Sequence, residues 1–118
     1  MRFSIPPEYW LSSNQRLHRH AAAARVRWLR DYGAGMARRT CYAYRKVTVV
    51  AEIRYPTNRR ADPPNAWPTV KPLIDGLVQG GLIPDDDDAH LPLLAFKRGT
   101  KTGTREYMVC LHITEEIG

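Results

Sequence analysis

The chain has 118 residues, 43% of them apolar and 25% charged, which suits a single globular domain and excludes a disordered polymer. No stretch approaches the roughly eighteen apolar residues of a membrane span, and Cys41 and Cys110, two isolated cysteines, make neither a disulfide framework nor a zinc site. The net charge of +6, with fourteen arginines among eighteen cations, points to a polyanionic partner such as nucleic acid or an anionic membrane surface, because guanidinium forms paired hydrogen bonds to phosphate oxygens. The bland alternative is a solubilising surface or GC-rich codon usage.

Arg2 to Pro6 alternates apolar Phe3 and Ile5 with polar neighbours and reads as a short strand stopped by Pro6-Pro7. Leu11 to Asn14 is a loop, with Ser13 or Asn14 as N-cap of a helix running from Gln15 to about Tyr32. Its expected apolar stripe is Leu17, Ala21, Ala24, Trp28 and Leu29, and Gly33 to Gly35 is expected to end it. Ala43 to Tyr55 is the clearest strand, with Val47, Val49, Ala51, Ile53 and Tyr55 on one face. A loop rich in turn residues spans Pro56 to Asn65.

A second helix lies between Ala66 and Val78, where Val70, Leu73, Ile74, Leu77 and Val78 form a buried face. Pro72 places the start of its main part at Thr69 as cap, and Gly80-Gly81 stops it. Leu91 to Lys97 and Thr104 to Thr114 complete the set as strands, the last with Tyr107, Val109, Leu111 and Ile113 inward. The order β-α-β-α-β-β gives an α+β domain, a small mixed sheet with two main helices packed on it. The N-terminus has no apolar signal-like core, and free thiols suit a reducing cytoplasm, so the expected location is the cytoplasm.

The acidic residues are not evenly spread. Residues 59 to 88 carry three basic residues and six aspartates, whereas the rest of the chain is strongly basic. Asp85 to Asp88 form an uninterrupted run. Two like charges about 4 Å apart cost roughly 4 kcal/mol at an effective dielectric of 20, and a divalent cation relieves that cost. The bland reading is a solvated acidic loop. Lys71 and Asp75 are one helical turn apart, which alone means an ordinary surface ion pair. A strand-loop-helix-loop-strand path permits Asp62, Asp75 and Asp86 to converge. No P-loop, GxGxxG, GxSxG or EF-hand pattern is present. Trp67, beside the acidic motif, reads equally well as core or as a base-stacking platform.

Over most of its length, and best from Arg59 to Asp87, the chain resembles the RusA family of Holliday junction resolvases, in particular its small phage-borne members. The resemblance rests on Arg59-Arg60, Asp62-Pro63-Pro64-Asn65, Lys71, Asp75, Gly81-Leu82-Ile83 and Asp85-Asp86, with Leu11 to Arg16 similar to the loop that opens the first helix in phage members. Where many members carry two aspartates before the asparagine, this chain has Asp62 and then Pro64, and its run from Asn65 to Lys71 is longer. The resemblance implies a RusA-like fold and a homodimer that resolves four-way DNA junctions in recombination and repair. The implied chemistry is magnesium-dependent phosphodiester hydrolysis, with manganese as a substitute. Carried over, the catalytic residues are Asp62, Lys71, Asp75 and Asp86, with Asp62, Asp86, Asp75 and Asp85 around the metal. Asn14, Arg16, Arg19, Arg59, Arg60, Asn65 and Lys97 are the expected DNA contacts. The alternative is a non-catalytic junction- or DNA-binding protein that has lost part of the metal site. A further rival is a structural or regulatory protein whose acidic loop binds a basic partner.

Overall fold

Val47, Val49, Ala51 and Ile53 are each fully buried, and the residues between them are half-buried, so the central strand shows one face to a core and the other outward. In the computed structural model, which describes residues 1–117, this strand is β2 (Val47–Arg54). The other elements are β1 (Arg2–Ile5), α1 (Arg19–Arg39), α2 (Trp67–Gln79), β3 (Leu93–Arg98) and β4 (Tyr107–Glu115), with short 3-10 turns at Pro7–Tyr9 and Pro63–Ala66. The α+β order expected from the sequence is the observed one.

The four strands form one mixed sheet in the order β1-β4-β2-β3. Strands β2 and β3 are parallel because α2 carries the chain back between them, the crossover that a parallel pair needs. Strand β4 is antiparallel to both β1 and β2. Inward residues of the strands join Leu29 of α1 and Val70, Leu73, Ile74 and Leu77 of α2 in one core. The helices therefore lie on one face. The opposite face, bearing Thr48, Glu52, Lys97 and His112, is left without a covering layer among the described residues.

Several boundaries differ from the sequence expectation. Helix α1 starts later and runs through Gly33 and Gly35 to Arg39, with the His18 side chain, not Ser13 or Asn14, accepting from the His20 N–H at 3.3 Å as N-cap. Its buried stripe is Leu29, Gly33, Ala34 and Ala37; Ala21 and Ala24 are exposed and Leu17 precedes the helix. Gly33 is no terminator here. A methyl group on it would collide with the Leu73 carbonyl, and one on Gly76 would collide with the Arg30 carbonyl. The two glycines let the backbones of α1 and α2 touch, and this close approach keeps glycine inside a helix despite its conformational cost.

Thr69 does not cap α2. The helix begins two residues earlier, directly after the 3-10 turn, and Pro72 lies in its interior. The Thr69 hydroxyl is fully buried and bonded to Leu11 on both sides, accepting from its N–H at 2.8 Å and donating to its carbonyl at 2.7 Å. That single hydroxyl replaces the backbone partners that the Leu11 loop lacks. The end of α2 is as expected: Gly80 is the C-cap, and Gly81 has a φ of +87°. No described helix is long and apolar enough to cross a membrane, and Cys41 and Cys110 are both free.

Candidate functional site

Helix α2 presents its apolar stripe to the core, which turns Lys71 and Asp75 to the side of the helix, half-exposed. Past the glycine stop, Leu82 and Ile83 are buried, and the Leu82 N–H bonds the Leu77 carbonyl at 3.0 Å. This anchors the chain so that the next residues, the aspartate run, return alongside the helix. The Lys71 ammonium donates to Asp75 Oδ1 at 2.7 Å and also to Asp86 Oδ2. The surface pair suggested by spacing is thus a three-membered group, Asp75–Lys71–Asp86.

Its electrostatics follow from that geometry. Burial works to lower the Lys71 pKa, but hydrogen bonds to Asp75 and Asp86, with the charges of both, outweigh it and hold the ammonium above the ordinary lysine value. The hydrogen bond from Lys71 holds Asp86 below the usual carboxylate range, against the opposing effect of burial. Asp86 is thus ionised near neutrality, and one cation bridges it to Asp75.

The other aspartates of the run have separate tasks. Asp85 Oδ1 accepts from the Asp86 N–H at 2.7 Å and so orients Asp86. Asp87 Oδ1 accepts from the His90 N–H at 3.0 Å and lies 2.6 Å from the His90 imidazole Nδ1, closing the turn that leads to β3. Asp88 is exposed. A bare repeat of four identical residues therefore contains one member aimed at the lysine.

Asp62 stands outside this group. It is exposed, its carbonyl accepts from the Asn65 N–H at 2.9 Å, and its charge acts on Tyr55. Asn65 is half-buried, and its carbonyl accepts from the Ser13 N–H at 2.9 Å, so it ties the loop before α1 to the turn before α2. Among the described residues no three His, Cys, Asp or Glu side chains cluster as a metal-ligand set. The Asp75 and Asp86 pair still fits magnesium in kind: hard oxygen donors, partly exposed, and as few as the one or two carboxylates that this ion takes from protein beside water and phosphate oxygens.

Around the acidic group the expected basic contacts divide. Arg59, Arg60 and Asn14 line one cleft of about 470 Å³ together with Trp10, Tyr55 and Tyr107. Lys71, Asp75 and the half-exposed Trp67 line a second of about 410 Å³. Arg16 and Arg19, both exposed, lie just before α1 and at its first residue. Lys97 is elsewhere, on the uncovered sheet face, 3.9 Å from Glu52. Lys97 is registered against Glu52 on the outward face, away from both clefts, which separates it from the other expected DNA contacts.

Three residues of the site had no signature in the sequence. Arg25 donates to the Trp10 carbonyl at 2.7 Å, and Arg98 donates to the Arg59 carbonyl at 2.6 Å. Thr69 tethers Leu11. Each acts on a backbone carbonyl or amide far away in sequence, a relationship that no local spacing encodes. Compared with known proteins, the chain matches no family model and no curated protein.

Proposed function

We propose that the protein is a structure-selective DNA endonuclease of RusA type, acting on four-way junctions by magnesium-dependent phosphodiester hydrolysis. The observation that carries this is the bridging of Asp75 and Asp86 by Lys71 at a cleft that shares Ser12 and Gln15 with the arginine-lined one. All three side chains keep 30–41% of their surface open to solvent, so an ion or phosphate can reach them.

In this reading Asp75 and Asp86 hold the ion, Asp85 orients Asp86 through its amide, and Lys71 faces the phosphate whose charge builds during in-line displacement. Magnesium, when bound, supplies Lewis-acid polarisation of the phosphoryl group. Arg59, Arg60, Arg16 and Arg19 contact phosphates and position the DNA arms without reading sequence. A second copy of the chain allows paired incision of two equivalent strands. The uncovered sheet face, where Leu93 is 56% exposed, supplies apolar ground for that contact.

The separation of Asp62 from the Lys71 group favours a second reading, a junction-binding protein without incision. A labelled four-way junction incubated with and without magnesium decides between them. Incision that requires the ion and disappears in Asp86→Asn supports the nuclease. Tight binding without incision under magnesium or manganese supports the second reading. If incision occurs, Asp62→Asn tests whether Asp62 joins the site once DNA is bound.

A further inference from the structure

The larger cleft has a construction that phosphate binding alone does not require. Trp10 is 5% exposed and stacks on Tyr107, with ring centroids 4.1 Å apart and planes within 7°. Tyr55 stands edge-on to both rings at 6.1 Å. These three rings come from the segment after β1, the end of β2 and the start of β4. Tyr55 and Tyr107 are only half-buried, so the group is not sealed into the core. No buried side-chain polar atom lacks a partner among the described residues. The Trp10 indole N–H and the two tyrosine hydroxyls, which have no hydrogen bond within the described protein, are therefore not sealed from solvent.

The rim is cationic and preset. Arg98 places its guanidinium 4.9 Å from the Tyr55 ring centroid and donates to the carbonyls of Arg59 and Thr57 at 2.6 and 3.3 Å. This fixes the backbone that carries Arg59 and Arg60. Both arginines are exposed, and neither forms an ion pair among the described residues. Asn14 also lines this cleft. Ser12 and Gln15 line this cleft and also the one that contains Lys71 and Asp75.

We infer that this cleft receives one unstacked nucleobase from the branch point of the DNA, with Arg59 and Arg60 on its flanking phosphates. The inference rests on the nuclease or junction-binding reading above and names what that surface holds. Trp10 and Tyr107 cover one face of each other and Arg98 covers one face of Tyr55, so a base would stack on the remaining face of the half-buried Tyr55 or Tyr107, and the adjoining arginines match the charge of the backbone on either side. Bases at a branch point have already lost part of their stacking, so extruding one there costs less than extruding one from an arm. The volume is of the size that encloses a small planar ligand. The shared wall of Ser12 and Gln15 puts the held base one loop away from the acidic group.

The test uses the full-length protein, magnesium-free, and four-way junctions carrying 5-iodo-deoxyuridine either at the branch point or within an arm. After irradiation, the crosslinked peptide is identified by mass spectrometry, and junction affinity is measured for wild type, Tyr55→Leu and Tyr55→Phe. Thymidine monophosphate is titrated in parallel. The expected result is a crosslink from the branch-point label to Trp10, Tyr55 or Tyr107 and none there from the arm label. Tyr55→Leu should lose about tenfold in junction affinity, within the range that base stacking contributes, while Tyr55→Phe, which keeps the ring, should stay near wild type. Normal junction binding with crosslinks elsewhere, or with no effect of Tyr55→Leu, overturns the base pocket and leaves the DNA reading standing. Tyr55-dependent binding of the mononucleotide without junction binding also overturns it, in favour of a free-nucleotide site. Failure to bind either ligand overturns both readings. A thermal melt of Tyr55→Leu separates lost stacking from lost folding.

Discussion

Lys71 and Asp86, 15 residues apart in sequence, meet as ammonium and carboxylate although one lies within α2 and the other beyond its glycine stop. The contact converts an ordinary i,i+4 pair into a group with one more negative than positive charge. That excess is what a further cation, or the cationic end of a substrate complex, would neutralise.

Replacing Lys71 by Met should raise the Asp86 pKa, since the lysine hydrogen bond is the main cause of its depression. Carboxyl-carbon NMR titration reads this directly. The sign for stability is as follows. Asp86, depressed when folded, contributes stability above the ordinary aspartate pKa, and this is lost as pH falls through its lowered value. Lys71, raised when folded, contributes below the ordinary lysine pKa, and this is lost as pH rises through its raised value. The group is therefore intact across the neutral range. Its partial exposure keeps the contribution within about 1 kcal/mol, so Lys71→Met should melt close to wild type while losing incision.

The aspartate run should divide by function when each member is changed to Asn. Asp86→Asn should reduce incision on the order of a hundredfold or more, the effect of removing an electrostatic contributor at a reacting centre. Asp88→Asn should have little effect on rate or melting. Asp87→Asn keeps an acceptor for the His90 N–H and loses only the carboxylate charge beside the imidazole, so it should cost stability by less than about 1 kcal/mol. Single-turnover assays and thermal melts of the three variants separate these outcomes.

Thr69→Val preserves shape but leaves the N–H and carbonyl of Leu11 without their buried partner. Each unsatisfied group costs about 1–3 kcal/mol, so a large fall in the urea midpoint is expected, larger than for Thr40→Val, whose hydroxyl bond to Met36 is exposed.

Two alanine substitutions in the same helix should act in opposite directions. Gly33→Ala drives a methyl group into the backbone of α2 and should destabilise by about 1–3 kcal/mol or more. Gly35→Ala meets nothing within 4 Å and should stabilise by about 0.5–1 kcal/mol. Chemical denaturation of both variants checks the assignment of Gly33 to helix crossing.

These glycines also show where the sequence misleads. Gly33 and Gly35 look like a helix end because glycine commonly ends helices, and only the partner Gly76, far along the chain, discloses a crossing instead. Alternation along β2 was legible because one face is buried and the period of two leaves no other choice. The stripe of α2 was legible for the same reason, at the helical period. Helix α1 was harder: its buried positions are mostly Ala and Gly, and small residues carry little hydrophobic contrast. In the site, spacing gave only an ordinary Lys71–Asp75 pair, and the choice of these two with Asp86 as site residues came from the resemblance to junction resolvases. The selection of Asp86 over Asp85 and Asp87 depends on backbone amides that claim those two. The aromatic cleft had no linear signature, since Trp10, Tyr55 and Tyr107 meet only after the sheet has formed.

The contact at Gly33 and Gly76 also decides which half of the acidic group can adapt. A side chain at a helix crossing yields by changing rotamer, whereas touching backbones have no such freedom. Helix α2 is therefore held in place, with Lys71 and Asp75 on it. Asp86 sits on a loop that carries mostly exposed residues and only a few hydrogen bonds. If the group takes an ion or a phosphate, as proposed above, the adjustment falls on the loop, and Asp86 is the member that moves.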